Sequence, residues 1–277
     1  MFMNRRLPHL SRRLTAVLGV TTLVFAMIAC SKFRPQPDRK WHLVMEVEPS
    51  ASSSLAATVA QTVMIIERRL DLIGIRDSKV RVVEPASSGR IEINLPGQSD
   101  PERIKNLIIS SGNLELAHVQ SPPSPALVKT YDTKEAATLE MDAPAKNLRV
   151  LRCGSGIDSE KDAKWAIVET SAIVSGNHVR HATAIPSRGG AGVYSIGFSL
   201  QSDGAQRLAT WTREHINEYI AVILNDEIKS IAFIKGEISE AGEISGRFTK
   251  ESAEDLAKVL NSGAFPTKVR FIEERID

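Results

Sequence analysis

Apolar residues recur along this chain with two different periods, and the switches between them mark out its elements. Leu43 to Val47 form a strand-like run. After a serine-rich turn, Leu55, Val59, Val63, Ile66, Leu70 and Ile73 recur at spacings of three and four, which predicts one helical stripe ended by Gly74. Val80 and Val82 follow, and then Ile91, Ile93 and Leu95 alternate with Glu92 and Asn94, which predicts a β-hairpin turning through Ser87, Ser88 and Gly89. A second helix is signalled by Asp100 as N-cap, Pro101 at its first position and Glu102 on the positive end of the dipole. Its stripe is Ile104, Leu107 and Ile108, and it stops before Gly112. Leu114 to Val119 is expected to close the unit. The order β-α-β-β-α-β over residues 41–120 is the ferredoxin-like pattern, two helices on one face of an antiparallel sheet, and is expected to fold by itself.

Residues 121–147 break the periodicity with Pro122, Pro123 and Pro125 and an Ala/Lys/Glu-rich run, so an irregular, variable segment is expected there. Beyond it the pattern predicts strands at Arg149–Arg152 and Lys164–Glu169, a Gly-rich hairpin turn around Ser187–Gly192, and a strand from Tyr194 to Leu200. A helix from Ser202 to about Tyr219 and a strand pair at Ala221–Leu224 and Ile228–Ile234 come next. Thr249 caps a last helix, Lys250–Asn261, which buries Ala253, Leu256 and Leu260 and is stopped by Gly263 and Pro266. Lys268 to Glu274 is a final strand, expected to return to the first sheet. The fold class is therefore α+β with antiparallel sheets: a ferredoxin-like unit at 41–120, a second α+β unit inserted or appended at 148–266, and a returning strand in 267–277.

The N-terminus sets the compartment. Arg5, Arg6, Arg12 and Arg13 precede 18 uncharged residues from Leu14 to Ser31, a basic region followed by an apolar one, as in an export signal. The run ends Met27-Ile28-Ala29-Cys30-Ser31, with a small residue ahead of a cysteine. That arrangement suits a lipoprotein signal peptidase, which would leave Cys30 as an acylated first residue; the competing reading of residues 1–30 is an uncut anchor, since a spanning helix needs about 20 apolar residues. Either way the body is expected on the periplasmic side of the cell envelope, held to a membrane across the proline-bearing linker 31–40.

Setting the leader's four arginines aside leaves 31 basic residues against 33 acidic ones, a net charge of −2, so there is no basic footprint for nucleic acid. Cys153 is the only other cysteine, which excludes a disulfide framework and leaves stability to the apolar cores; Cys153 itself reads as buried and unreactive. Motifs for bond chemistry are weak. His178 and His181 are three apart but in a predicted loop or short helix, His42, His118 and His215 lack metalloprotease spacing, and Gly189, Gly190 and Gly192 precede a strand rather than a helix N-terminus. Glu237, Glu240 and Glu243 lack the partners of a calcium loop, with Ala241-Gly242 reading as a turn, and no Gly-x-Ser-x-Gly elbow is present. No catalytic residue, metal site or cofactor is assigned. Trp165, Tyr194, Phe198 and Trp211 have two readings, as core residues or as the lining of an apolar cleft that captures polypeptide.

Several segments resemble a known family. Gln61-Thr62-Val63-Met64-Ile65-Ile66-Glu67-Arg68-Arg69-Leu70-Asp71-Leu72-Ile73-Gly74, Leu95-Pro96-Gly97, Asp100-Pro101-Glu102-Arg103 and Leu114-Glu115-Leu116 look like the first part of the large periplasmic domain of SecD, the protein-export membrane protein. Val174-Ser175-Gly176-Asn177-His178-Val179, Phe198 to Ala205 and, most specifically, Ser245-Gly246-Arg247-Phe248-Thr249 through Ser262-Gly263-Ala264-Phe265-Pro266 resemble its head. The resemblance spans roughly residues 42–275. It implies a base near the membrane and a head that swings on it, binding unfolded or exported polypeptide beside Sec translocon components without bond chemistry. A hinge is expected at the two crossings between base and head, near Gln120, Ser121, Pro122 and Pro123 and at Phe265 and Pro266. The chain departs from the family pattern in ending at Asp277, in lacking the Gly-Leu-Asp-Leu-x-Gly-Gly stretch ahead of the first strand, and in carrying Ala232 where proline is usual. The expectation is an accessory of protein translocation without its own proton-coupling helices. The alternative is an envelope lipoprotein that scaffolds a fixed protein partner.

Overall fold

The computed structural model describes residues 40–276 apart from 51–52, 98–99, 124, 142–146, 155–163 and 188–191, so Cys30, the leader and most of the linker lie outside the described residues. The elements run, in order, β1 (Lys40–Val47), α1 (Leu55–Leu72), β2 (Lys79–Val82), β3 (Arg90–Pro96), α2 (Pro101–Ile109), β4 (Leu114–His118) and α3 (Lys134–Glu140). They continue with β5 (Leu148–Cys153), β6 (Trp165–Glu169), β7 (Val174–Ser175), β8 (Val179–Pro186), β9 (Tyr194–Leu200) and α4 (Ser202–Glu214). Last come β10 (Tyr219–Leu224), β11 (Glu227–Phe233), β12 (Ala241–Phe248), α5 (Lys250–Ser262) and β13 (Val269–Ile276). Among the described residues no helix is long and apolar enough to cross a membrane.

The helix ends follow their local chemistry. Ser54, Asp100 and Thr249 accept from the backbone N–H groups of Ala57, Arg103 and Ser252, satisfying orphan donors at the starts of α1, α2 and α5. Gly74, at φ +80°, closes α1: its N–H bonds Asp71 O at 2.9 Å, and the Ile75 N–H bonds Leu70 O at 3.0 Å, the paired bonds of a Schellman end.

The fold is α+β and chiefly antiparallel, built on three sheets. The first has the order β13-β1-β3-β2, with α1 and α2 supplying its apolar cover. Leu43, Met45, Ile91, Ile93 and Leu95 alternate onto that covered face and meet Val59, Ile66, Leu70 and Ile108; each such fully buried side chain contributes roughly 1.5–3 kcal/mol.

Here the sequence expectation needs correcting. Leu114–His118 does not close the first unit. It pairs antiparallel with β10, from Ile220 opposite His118 to Leu224 opposite Leu114, and so belongs to a six-stranded sheet ordered β6-β5-β11-β10-β4-β7. The vacant ferredoxin-like position is taken by β13, antiparallel to β1 from Trp41 opposite Ile276 to Val47 opposite Val269. Everything from β4 to α5 is thus inserted between α2 and the strand that completes the first sheet.

The six-stranded sheet is buried on both faces, which is why β10 reads as an unbroken apolar run. Leu116, Ile220, Val222 and Leu224 point into a core shared with the three-stranded sheet β12-β9-β8 and with α4 and α5; Ala117, Val119, Ala221 and Ile223 point the other way, towards Val168 and Ile228. That second face is approached by α3, whose Ala137 is fully buried, so the segment expected to be irregular holds a helix capped by Thr133. Three further expectations fail locally. Ala241-Gly242 is not a turn but the start of β12, and His181 lies on strand β8, although His178 does end a short 3-10 helix, Gly176–His178, as a loop or short helix was expected there. The helix expected to reach Tyr219 stops at Glu214, and Tyr219 opens β10.

Candidate functional site

Two places gather polar and aromatic groups that the cores do not require: the junction between the units, and the outer end of α4.

The junction is where the chain leaves the first unit, between α2 and β4, and where it returns, between α5 and β13. The structure therefore puts the first crossing at residues 110–113 and not at Gln120, Ser121, Pro122 and Pro123. Those four follow β4 inside the larger unit, where the Gln120 N–H bonds Ile167 O at 2.9 Å and Ser121 Oγ accepts from the Lys129 N–H at 2.9 Å. The return crossing, between Ser262 and Val269, does contain Phe265 and Pro266. The two crossings touch, because the Phe265 N–H donates to Ser111 O at 3.2 Å.

Sequence reasoning missed the residue that organises this place. Arg69 lies beside the apolar stripe of α1, between Ile66 and Leu70, and it is fully buried. Its Nη1 donates to the carbonyls of Leu107, Ile108 and Ser110 at 3.0, 2.8 and 2.6 Å, its Nη2 to Gly263 O at 3.1 Å and its Nε to Ser262 Oγ at 3.0 Å. These acceptors are the orphan carbonyls and last residues of two helices, α2 and α5, so one cation sits at the negative ends of both dipoles. The Phe265 ring adds a cation–π contact, 4.6 Å from the guanidinium carbon. Burial lowers the Arg69 pKa to about 10, which leaves it charged at neutral pH. The legible signal was an arginine beside a stripe of Val, Ile and Leu. Arg103 of α2 reinforces the contact, forking onto Asp255 of α5 at 2.7 and 2.8 Å and reaching Glu251 at 2.9 Å.

At the outer end of α4, Trp211 stacks on His215 with centroids 3.9 Å apart and meets His118 edge-on at 5.2 Å. His215 Nδ1 donates to Trp211 O at 2.7 Å, and the His118 ring lies between Glu169 at 3.0 Å and Glu218 at 2.8 Å. Beside this group is an open hollow of about 600 Å³, lined by Ile173, Gln206, Arg207, Thr210, Trp211 and Glu214. Of the aromatic residues singled out in the sequence, Tyr194 and Trp211 pack half-buried against the main core and Phe198 is inside it, 4% exposed, over Gly242. Trp165 does not join them: it is on β6, exchanging backbone bonds of 2.8 Å with Tyr131. Among the described residues no group of three or more His, Cys, Asp or Glu side chains could hold a metal ion.

Comparison with known proteins places this geometry. A family model described as the N-terminal part of the SecDF P1 domain matches residues 59–121, and one for the SecDF P1 head subdomain matches residues 153–267. The protein translocase subunit SecD of Koribacter versatilis is 34% identical over 221 residues, covering 78% of this chain and 38% of its own length; that of Aquifex aeolicus is 28% identical, covering 79% and 39%. The chain thus spans about two fifths of the length of these relatives. A solved structure of SecDF in its super-membrane-facing form aligns with 94% of this chain and 34% of its own at a TM-score of 0.65 and 19% identity. A second, of SecDF as a membrane component that enhances protein export, aligns with 84% of this chain and 99% of its own at 0.62 and 20%. At these identities the structures speak for the fold alone. The two matched segments meet at the Arg69 junction, one supplying α1 and α2 and the other α5, and with the sequence identity to SecD they make this chain a member of the SecD family, carrying its P1 domain.

Proposed function

We propose that this chain acts in protein translocation by holding exported polypeptide at the membrane surface, with its head as the binding part. The carrying observation is the family membership together with the hollow beside Trp211, which sets an aromatic wall and Ile173 against the polar rim of Gln206, Arg207 and Glu214. Loosely specific capture of an unfolded chain needs this mixture, apolar surface for side chains and polar groups for the exposed backbone. Of the four aromatic residues, Trp211 lines the hollow, while Tyr194 packs half-buried against the main core, Phe198 lies inside it and Trp165 stands apart on β6. The task is binding and not bond chemistry. Cys153 fits that reading: it is 4% exposed, and burial, with Glu227 adding to it, pushes its thiol up to about 11.

A photoreactive residue at Gln206, compared with one at exposed Lys79 in the first sheet, tests the reading during export in cells. Many different secreted proteins cross-linked from Gln206 and few from Lys79 are expected. A single constant adduct would instead make the protein a scaffold for a fixed partner, and no adduct from either position would remove the capture role.

For the tether we propose acylation of Cys30 ahead of a linker that ends at β1. Metabolic labelling with a radioactive fatty acid is expected to mark the wild-type chain and to vanish in Cys30→Ala; equal labelling of both would overturn it. The units are proposed to divide at the crossings 110–113 and 263–268, the second carrying Phe265 and Pro266.

A further inference from the structure

We infer that Arg69 is a latch that sets the angle between the two units by gripping both chain crossings at once. Three observations converge on it. Its guanidinium bonds the carbonyl of Ser110, the first residue of the outward crossing, and that of Gly263, the first residue of the return. Its Phe265 contact reaches the middle of the return crossing. The larger unit holds the far end of the outward crossing separately: Asn113 exchanges bonds with Asn225 of the β10–β11 turn at 3.1 and 2.9 Å, and Ser111 Oγ donates to the same Asn225 side chain. The outward crossing is therefore clamped at both ends, by Arg69 from the first unit and by Asn225 from the second.

A planar fork with five N–H donors is required to meet acceptors on two helices; lysine carries the same charge but only three donors on one nitrogen, so it can satisfy one helix end or the other. Rotation of one unit on the other must pull Gly263 or Ser110 away from Arg69 and strand a buried guanidinium, which makes the latch cooperative: it is either closed at both crossings or open. Arg103 with Asp255 and Glu251 is the outer contact that opens with it.

The test is hydrogen exchange on the full chain, with small-angle X-ray scattering, for Arg69→Lys and Arg69→Met. The expected result is at least about tenfold faster exchange at Ser110–Asn113 and Gly263–Phe265 with wild-type protection kept in β3 and β10, and a larger maximum dimension. If Arg69→Met does not fold, Arg69→Lys decides alone. Unchanged exchange at the crossings overturns the inference. So does an equal loss of protection everywhere, which would make Arg69 a general core residue, and so does faster exchange with an unaltered scattering profile, which would show the crossings loosened without the units being released.

Discussion

Gly112 shows how little freedom the outward crossing has. It sits at φ +63°, and a Cβ there would lie 2.8 Å from Val259 Cγ1 of α5. Both the backbone region and the contact disfavour any side chain. Gly112→Ala is expected to lower stability by about 1–3 kcal/mol, read from the urea midpoint, because a side chain is strained at φ +63° and the Val259 side chain must shift to admit it. An unchanged midpoint would mean that the crossing is softer than its bonds suggest. Arg69 carries the complementary lesson. Its place beside an apolar stripe was visible in the sequence, but its five acceptors come from residues 38 to 194 positions away, so nothing local could name its role.

At the scale of elements, β13 is tied to the first unit by more than its ladder to β1. Glu274 accepts from Lys105 of α2 at 2.8 Å and from Trp41 Nε1 at 3.1 Å. The Lys105 hydrogen bond, against some desolvation, holds the Glu274 pKa below the ordinary glutamate range. A carboxylate with a lowered folded-state pKa contributes stability that is complete above about pH 4.3 and is lost as pH falls through the folded value. Wild-type protein is therefore expected to lose more melting temperature between pH 6 and pH 3 than Glu274→Gln does; parallel profiles would show the pair to be screened out.

What the sequence disclosed among the elements follows the same division between local and distant. The caps Asp100 and Thr249, the Gly74 stop and the stripes of α1, α2 and α5 were legible because each signal lies within a turn or two of its effect. The partner of β1 was not: Leu114–His118 and Val269–Ile276 are both strand-like, and only tertiary pairing decides which joins the first sheet. β12 was hidden by Ala241-Gly242, a turn signal that the register opposite Phe198 overrides, since the Phe198 ring fills the space above Gly242. At the outer end of α4, Trp211 was legible as a large aromatic. Its partner His215 is one helical turn away in the sequence, but His118 was not legible, because β4 and α4 meet only in the fold.

In the whole molecule, the first sheet is completed by a strand from the far end of the sequence, across which the Trp41 indole bonds a Glu274 carboxylate 233 residues away. The fragment 40–120, which contains every ferredoxin-like signal in the sequence, is therefore expected to remain without a stable sheet, because β1 keeps an open edge and β4 has no partner in it. Circular dichroism and amide exchange on that fragment check this, and a synthetic peptide spanning 267–276 is expected to restore order when added. A fragment that folds cooperatively alone would show that β1, β2 and β3 with the two helices suffice.

That distant pairing bears on how the chain is made. Translation delivers β1 early and β13 late, so the backbone edge of Trp41 to Val47 waits, unpaired, while the whole inserted unit is synthesised and folds. A product that stops between Ser262 and Val269 has every strand of the larger unit but lacks β13, so its first sheet cannot close. Such a product leaves the outer edge of β1 unpaired, so the first sheet closes only in chains that extend past the junction.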